Sequence, residues 1–178
     1  METITAQIFG FIGMAFMFAS FQMNDKKKIL LFQAITSTVF ATHFALLGAF
    51  TGAVMNAVEI GRNLVFYREW EPKIKVFWIV LFIALFTVFG IASWQNFFSL
   101  LPILAMNLST VAFRFDKPKY IRLCFLPVSV AWLIYNAVSF SVAGMITEIF
   151  DLLSLITAFL RFDLSKKKRK KCQTYSGQ

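Results

Sequence analysis

The sequence predicts an all-α polytopic membrane protein, a bundle of seven transmembrane helices arranged as two parallel three-helix repeats joined by a linker helix. Three observations carry that prediction. The composition is 58% hydrophobic and 15% charged with a mean hydropathy of +0.69, a profile that suits lipid better than water. A spanning helix needs roughly 20 mostly apolar residues, so 178 residues hold about seven spans with short loops and leave no room for a separate soluble domain. The basic residues also fall on alternate connections.

Cutting the chain at its charged or Pro/Gly-marked breaks leaves apolar stretches near 4–23, 29–48, 52–67, 76–93, 97–113, 120–140 and 143–162. Lys26, Lys27 and Lys28 follow the first stretch, and Arg68, Lys73 and Lys75 follow the third. Arg114, Lys117, Lys119 and Arg122 surround the turn after the fifth. Arg161 and the run Lys166-Lys167-Lys168-Arg169-Lys170-Lys171 close the chain. That places 17 of the 18 Lys and Arg on one side, while the connections near 48–52, 94–97 and 140–143 hold none. By the positive-inside rule the rich side is cytoplasmic.

Trp70, Trp78 and Trp94 lie near predicted span ends, where indole rings favour the lipid–water interface. The first stretch has no basic segment before it and no small-residue cleavage pattern after it, so it is expected to stay as a helix with the N-terminus outside. Residues 1–165 then form the membrane domain and 166–178 a basic cytoplasmic tail. The tail is expected to lie along anionic lipid head groups, each charge contributing about 1 kcal/mol. Cys124 and Cys172 both fall toward the cytoplasmic side, where thiols stay reduced, so no structural disulfide is expected. The net charge of +9 does not imply a nucleic-acid partner, because the basic residues follow topology and form no aromatic-interleaved groove.

Laid over itself at an offset of 92, the chain echoes its own features. Lys27 falls on Lys119, Leu31 on Leu123, Phe40 on Trp132, His43 on Tyr135, Gly52 on Gly144, Asn56 on Glu148 and Glu59 on Asp151. Repeat one spans about 4–68 and repeat two about 97–162, and the stretch at about 76–93 has no counterpart. Three helices followed directly by three more would point the halves in opposite directions, and one linker helix makes them parallel. That is the construction of transporters whose halves are related by an axis along the membrane normal.

The sequence Thr42-His43-Phe44-Ala45-Leu46-Leu47-Gly48, the run Met55-Asn56-Ala57-Val58, the pair Tyr135-Asn136, and Met145-Ile146-Thr147-Glu148 leading to Arg161 resemble the bacterial inner-membrane YgjV-like proteins. That family is grouped with SWEET-type sugar transporters and PQ-loop (MtN3-like) proteins. The resemblance implies a three-plus-one-plus-three bundle in a bacterial inner (plasma) membrane and implies no substrate. The chain departs from the wider group in lacking the Pro-Gln pair. SWEET-type transporters carry prolines as hinges in the first two helices of each half. Pro102 and Pro127 supply them in the second half, but Gly10 and Ile35 stand at the aligned places in the first.

An ionisable group at membrane depth costs at least ~2.5 to 3.5 kcal/mol on insertion scales, so each needs a partner, a cavity or a function. The third span carries Asn56, Glu59, Arg62 and Asn63, and the seventh carries Glu148 and Asp151. At 100° per residue Asn56, Glu59 and Asn63 share one helical stripe. Glu148 and Asp151, with Ser154 and Leu155 above them, form the corresponding stripe of the seventh span, and the two stripes are expected to face one another across a pathway.

Glu59 has an ordinary alternative, since Arg62 follows at i+3 in the favourable order, and Arg62 could also snorkel toward Arg68. Glu148 and Asp151 meet no Lys or Arg until Arg161. They are therefore protonated, hydrated in a cavity, or paired with Arg62. Such a pair could bind a cation or relay a proton.

His43 near the outer end of the second span, Asn136 level with it in the sixth, and Asn107 in the fifth complete the candidate pathway. His43 and Asn107 serve equally well as helix-packing residues. Gly10, Pro102 and Pro127 are the candidate hinges. With one His and no Cys beside it, no metal is expected, and no cofactor.

Two functions follow from these residues. One is a small-solute transporter or facilitator, with proton or cation coupling through Glu148 and Asp151 left open. The other is a membrane interaction or assembly protein with Glu59 and Arg62 paired, a closed core and no cavity. The expected partners are membrane lipids and an unidentified small solute, and self-association is left open. An enzyme is not expected: there is no phosphate loop, no metal cluster and no nucleophile beside a base.

Overall fold

A computed structural model describes residues 2–21, 26–115 and 118–159. Among these, seven α-helices follow one another: α1 Glu2–Phe21, α2 Lys26–Leu46, α3 Phe50–Tyr67, α4 Pro72–Ala92, α5 Leu100–Ala112, α6 Pro118–Val138 and α7 Val142–Ala158. The predicted stretches match these bounds to within a few residues, with one local difference. The fifth stretch opens as a 3-10 turn, Phe97–Ser99, because the Asn96 side chain accepts the Phe98 N–H and the Ser99 hydroxyl reaches back to the Asn96 N–H, a capping box that delays the α-helix. Arg161, Cys172 and the basic tail lie outside the described residues.

Local signals explain where the helices begin. Pro72 sits in the first turn of α4, where its fixed φ helps and its missing N–H is not needed. Ser141 caps α7 by accepting the Gly144 N–H, one of the donors a helix start leaves unpaired. Pro102 likewise falls in the first turn of α5 and removes no helical hydrogen bond. Pro127 lies inside α6 and leaves the Leu123 carbonyl without its usual partner four residues on.

The helices pack as a closed ring in the order α1, α2, α3, α5, α6, α7 and back to α1, and α4 lies against α3 and α5. At one end of the ring the Lys27 ammonium sits over the Tyr67 ring, placing the start of α2 beside the end of α3. There the Trp70 indole N–H donates to the Val65 carbonyl at 2.8 Å. Outward-facing Ile8, Phe77, Val80, Val88, Ile134 and Leu153 are exposed, a belt suited to hydrocarbon. Inside, Phe44 stacks on Trp132 with ring centroids 5.7 Å apart and meets Tyr135 at 5.8 Å. Lipid tails are as apolar as these rings, so they contribute close packing and not a hydrophobic driving force.

By length and composition three helical segments are long and apolar enough to cross a membrane: Lys27–Leu46, Pro72–Ala92 and Lys119–Val138. Ile4–Ser20 and Phe97–Ala112 are apolar but shorter. The remaining two helices, α3 with 18 residues and α7 with 17, are those that carry the predicted polar stripes.

Two turns of the ring have the same structure 92 residues apart. Leu47, Gly48 and Ala49 donate their N–H groups to the carbonyls of His43, Ala45 and Phe44. Ser139, Phe140 and Ser141 donate to Tyr135, Ala137 and Asn136. Among the described residues, positive φ occurs at Gly48 (71°) and Phe140 (54°), again 92 apart. Glycine adopts that conformation freely, whereas Phe140 holds it at a cost of about 1 to 2 kcal/mol.

Candidate functional site: a polar cavity inside the helix ring

The ring encloses a cavity of about 570 Å³. Ile29, Lys75, Phe115 and Ile121 line its wide end, which is the end bearing Lys27, Lys28, Lys73, Arg114 and Lys119. Phe44, Trp132, Asn136 and Gly144 line its narrow end. Between them the wall carries Asn56, Glu59 and Arg62 from α3 and Thr147, Glu148 and Asp151 from α7.

Arg62 is 3% exposed and held from several sides. Its guanidinium pairs with Glu59, donates to the hydroxyls of Ser109 at 2.8 Å and Thr110 at 3.1 Å, and lies over the rings of Phe86 and Phe113. Both hydroxyls donate in turn to the Met106 carbonyl, which leaves their lone pairs for Arg62. The residue therefore does not snorkel, and Glu148 and Asp151 are not its partners. The Glu59–Arg62 ion pair lies within α3, is braced from α5, and still faces the cavity.

The α7 carboxyls are placed otherwise. Glu148 stands in range of the charges of Asp151 and Glu59, with the Ser129 hydroxyl beside it. The Oδ1 atom of Asp151 is buried and has no hydrogen-bond partner among the described residues, and the same holds for Asn136 Oδ1, Thr36 Oγ1 and Arg62 Nε. All four residues line the cavity, so the space carries unmet polar groups, and such groups are costly unless a ligand or water satisfies them.

The narrow end is crossed by hydrogen bonds between chain segments, with a smaller space of about 170 Å³ among Gly48, Gln95, Tyr135 and Phe140. His43 is fully buried. Its Nδ1 lies 2.6 Å from the Ala6 carbonyl, which can only accept, so that nitrogen is assigned the proton; with the ring neutral, Nε2 accepts from the Ser141 hydroxyl at 2.7 Å. Across the ring, the Tyr135 hydroxyl accepts the Gly52 N–H at 2.9 Å and donates to the Ala49 carbonyl at 3.4 Å. The Gln95 side chain donates to the Gly48 carbonyl at 2.8 Å and the Gln7 side chain to the Phe140 carbonyl at 2.7 Å.

Of the predicted site residues, Asn56, Glu59, Arg62, Asn136, Glu148 and Asp151 meet around the cavity. Asn56 also donates to the Gly52 carbonyl of its own helix. His43 lies behind the narrow end as part of the closure. Asn63 is buried off the cavity wall, and neither polar atom of its amide has a partner among the described residues. Asn107 donates to the Thr87 hydroxyl and ties α5 to α4. Gly10 lets α1 approach closely: a Cβ there would come within 2.8 Å of Ala143 and 2.9 Å of His43. Ser154 is exposed and Leu155 half-buried.

Sequence reasoning missed Thr36, Ser37 and Ser129 on the wall, and Ser141, Gln7 and Gln95 in the closure. Ser37 falls on Ser129 at the same offset of 92, a signal that was available; Thr36 and the glutamines carried none.

A family model described as bacterial inner membrane protein, Imp-YgjV, matches residues 4–166. The chain belongs to that family. The match runs from the first turn of α1 past the end of α7, so both walls of the cavity lie within the part shared with the Imp-YgjV family. No curated protein and no solved structure matches the chain.

Proposed function

We propose that this inner membrane protein is a small-solute transporter or facilitator of SWEET-like architecture, two parallel three-helix repeats joined by α4. One observation carries it: the contacts that cross the narrow end of the cavity come in exchanged pairs. His43 reaches Ser141, and Tyr135 reaches Ala49; the second contact is the first with the repeats swapped. Gln7 on Phe140 and Gln95 on Gly48 bind the two equivalent turns as well, from side chains 88 residues apart. Such reciprocity is what a two-fold relation would produce, and a cavity between two such halves, crossed at one end by these contacts, supports a reading as an alternating-access pathway.

All seven helices cross the bilayer, the N-terminus faces outside, and the basic, wide end of the cavity faces the cytoplasm. The basic connections support that orientation, and an enzymatic role is no part of the reading. The alternative, an assembly protein without a solute path, predicts the Glu59–Arg62 pair, which is present, but also a closed core, which the cavity of about 570 Å³ opposes.

Uptake of a panel of solutes into proteoliposomes tests the proposal, comparing the native chain with Glu148→Gln and Asp151→Asn. Uptake by the native chain and its loss in variants that still insert and fold is the expected result. A native chain that moves no solute, with both variants equally stable, returns the assembly protein as the better reading.

A further inference from the structure

We propose that the cavity binds a small organic cation, an ammonium compound with an apolar body, seated between the α7 carboxyls and the aromatic wall. This rests on the transport reading above and adds the chemical class of the solute.

Charge comes first. Arg62 on the cavity wall is already engaged by Glu59, Ser109 and Thr110. Neither Glu148 nor Asp151 forms an ion pair among the described residues. The wall near α7 therefore holds two carboxyls with no cationic partner among the described residues: an anion finds no partner in them, and a bound cation can hold them in their charged form.

Two of the unmet groups, on α6 and α7, are acceptors. Asn136 is 2% exposed, and its Oδ1 has no partner among the described residues; Asp151 Oδ1 is in the same condition. Both call for donors, which an ammonium or hydroxyl group provides.

The third element is the aromatic wall. Phe40, Phe44 and Trp132 all line the cavity, with Phe44 and Trp132 stacked. Aromatic faces attract a cation through the ring quadrupole and also accept its methyl or methylene groups. Carboxyls beside aromatic faces in an enclosed space suit an ion that is charged at one place and greasy elsewhere. A volume of about 570 Å³ lies within the ordinary range for a small ligand.

The test uses choline and its neutral isostere 3,3-dimethyl-1-butanol, which share size and shape and differ in charge, with phenethylammonium, glucose and acetate beside them. Binding is read on the purified full chain by tryptophan fluorescence and thermal shift, and uptake in proteoliposomes with labelled choline, phenethylammonium, glucose and acetate. The expected result is at least tenfold tighter binding of choline or phenethylammonium than of 3,3-dimethyl-1-butanol, lost in Glu148→Gln/Asp151→Asn and largely kept in Glu148→Asp, which retains the charge. Trp132→Leu should weaken the cations several-fold and leave the fold intact.

Uptake of glucose or acetate with no binding of either ammonium probe overturns the cation assignment and leaves the transporter standing. Binding of the cations without uptake of any solute supports the site and overturns transport. Failure of every probe in both assays removes both proposals.

Discussion

α3 and α7 stand across the ring from one another, 92 residues apart in sequence, and solve the same problem in different ways. Each carries a carboxyl at the same level, Glu59 on one and Asp151 on the other, facing the same cavity. On α3 the residue three positions on is Arg62, fixed by hydroxyls from α5, and the charge is closed within the protein. On α7 that position is Ser154, exposed on the outer surface, and a second carboxyl, Glu148, stands where α3 has Asn56. The ion pair on α3 serves the fold, while the α7 carboxyls face the cavity with no ionic partner among the described residues.

The largest expected effect breaks the balanced side. Arg62→Met leaves the half-buried Glu59 without its partner and should lower stability by up to about 3 kcal/mol, the lower end of what removing one member of a buried pair costs; unfolding in detergent measures it. Glu59→Gln combined with Arg62→Met should recover much of that loss, and a double variant no better than the single one would show that the hydroxyls of Ser109 and Thr110, not the ion pair, hold Arg62.

Next come the two glycines that let the closure form. A Cβ at Gly52 would come within 2.7 Å of Tyr135, and one at Gly144 would collide with the Asn136 side chain and lie 2.5 Å from the Ser141 hydroxyl. Gly52→Ala and Gly144→Ala should each lower stability by about 1 to 3 kcal/mol, despite a gain in helix propensity of up to about 1 kcal/mol. Thermal unfolding of the two variants side by side sharpens the comparison, because equal losses mean that the two halves of the closure are equally tight.

Tyr135→Phe removes a single hydroxyl and should cost about 0.5 to 1.5 kcal/mol. It should also raise hydrogen exchange at the Gly52 amide, which loses its acceptor. The smallest effect on stability is expected on α7 itself. Glu148→Gln and Asp151→Asn remove carboxyls that have no ionic partner among the described residues, so unfolding should be unchanged or shifted to higher temperature, even as uptake is lost. A marked destabilisation would mean that α7 carries a structural charge after all and that the contrast with α3 is wrong.

Much of this was legible in the chain. Helix positions followed from apolar runs broken by basic or Gly/Pro-marked turns, signals that are local and so survive packing unchanged. The fifth helix shows the limit, since the Asn96–Ser99 capping box sits inside an apolar stretch and shortens the α-helix at its start. The polar stripe on α3 was also legible, yet Asn63 on it does not reach the cavity wall. Helical periodicity states a direction from the axis and not which neighbouring helix fills the space there. His43 illustrates the same point: its place near the span end was readable, but its partners Ala6 and Ser141 come from segments 37 and 98 residues away.

By itself the sequence determined an all-helical membrane protein, the alternation of basic and uncharged connections, and the residues that cannot rest unpartnered in lipid. Those properties depend on the solvation of each segment, and each segment carries them wherever it lies. Only the tertiary structure decided that Arg62 closes on Glu59 and the α5 hydroxyls, that the α7 carboxyls open onto a cavity with unmet acceptors, and that contacts of the paired turns cross one end. These depend on which helices become neighbours in the ring, where small residues such as Gly10, Gly52 and Gly144 permit an approach that no single helix specifies.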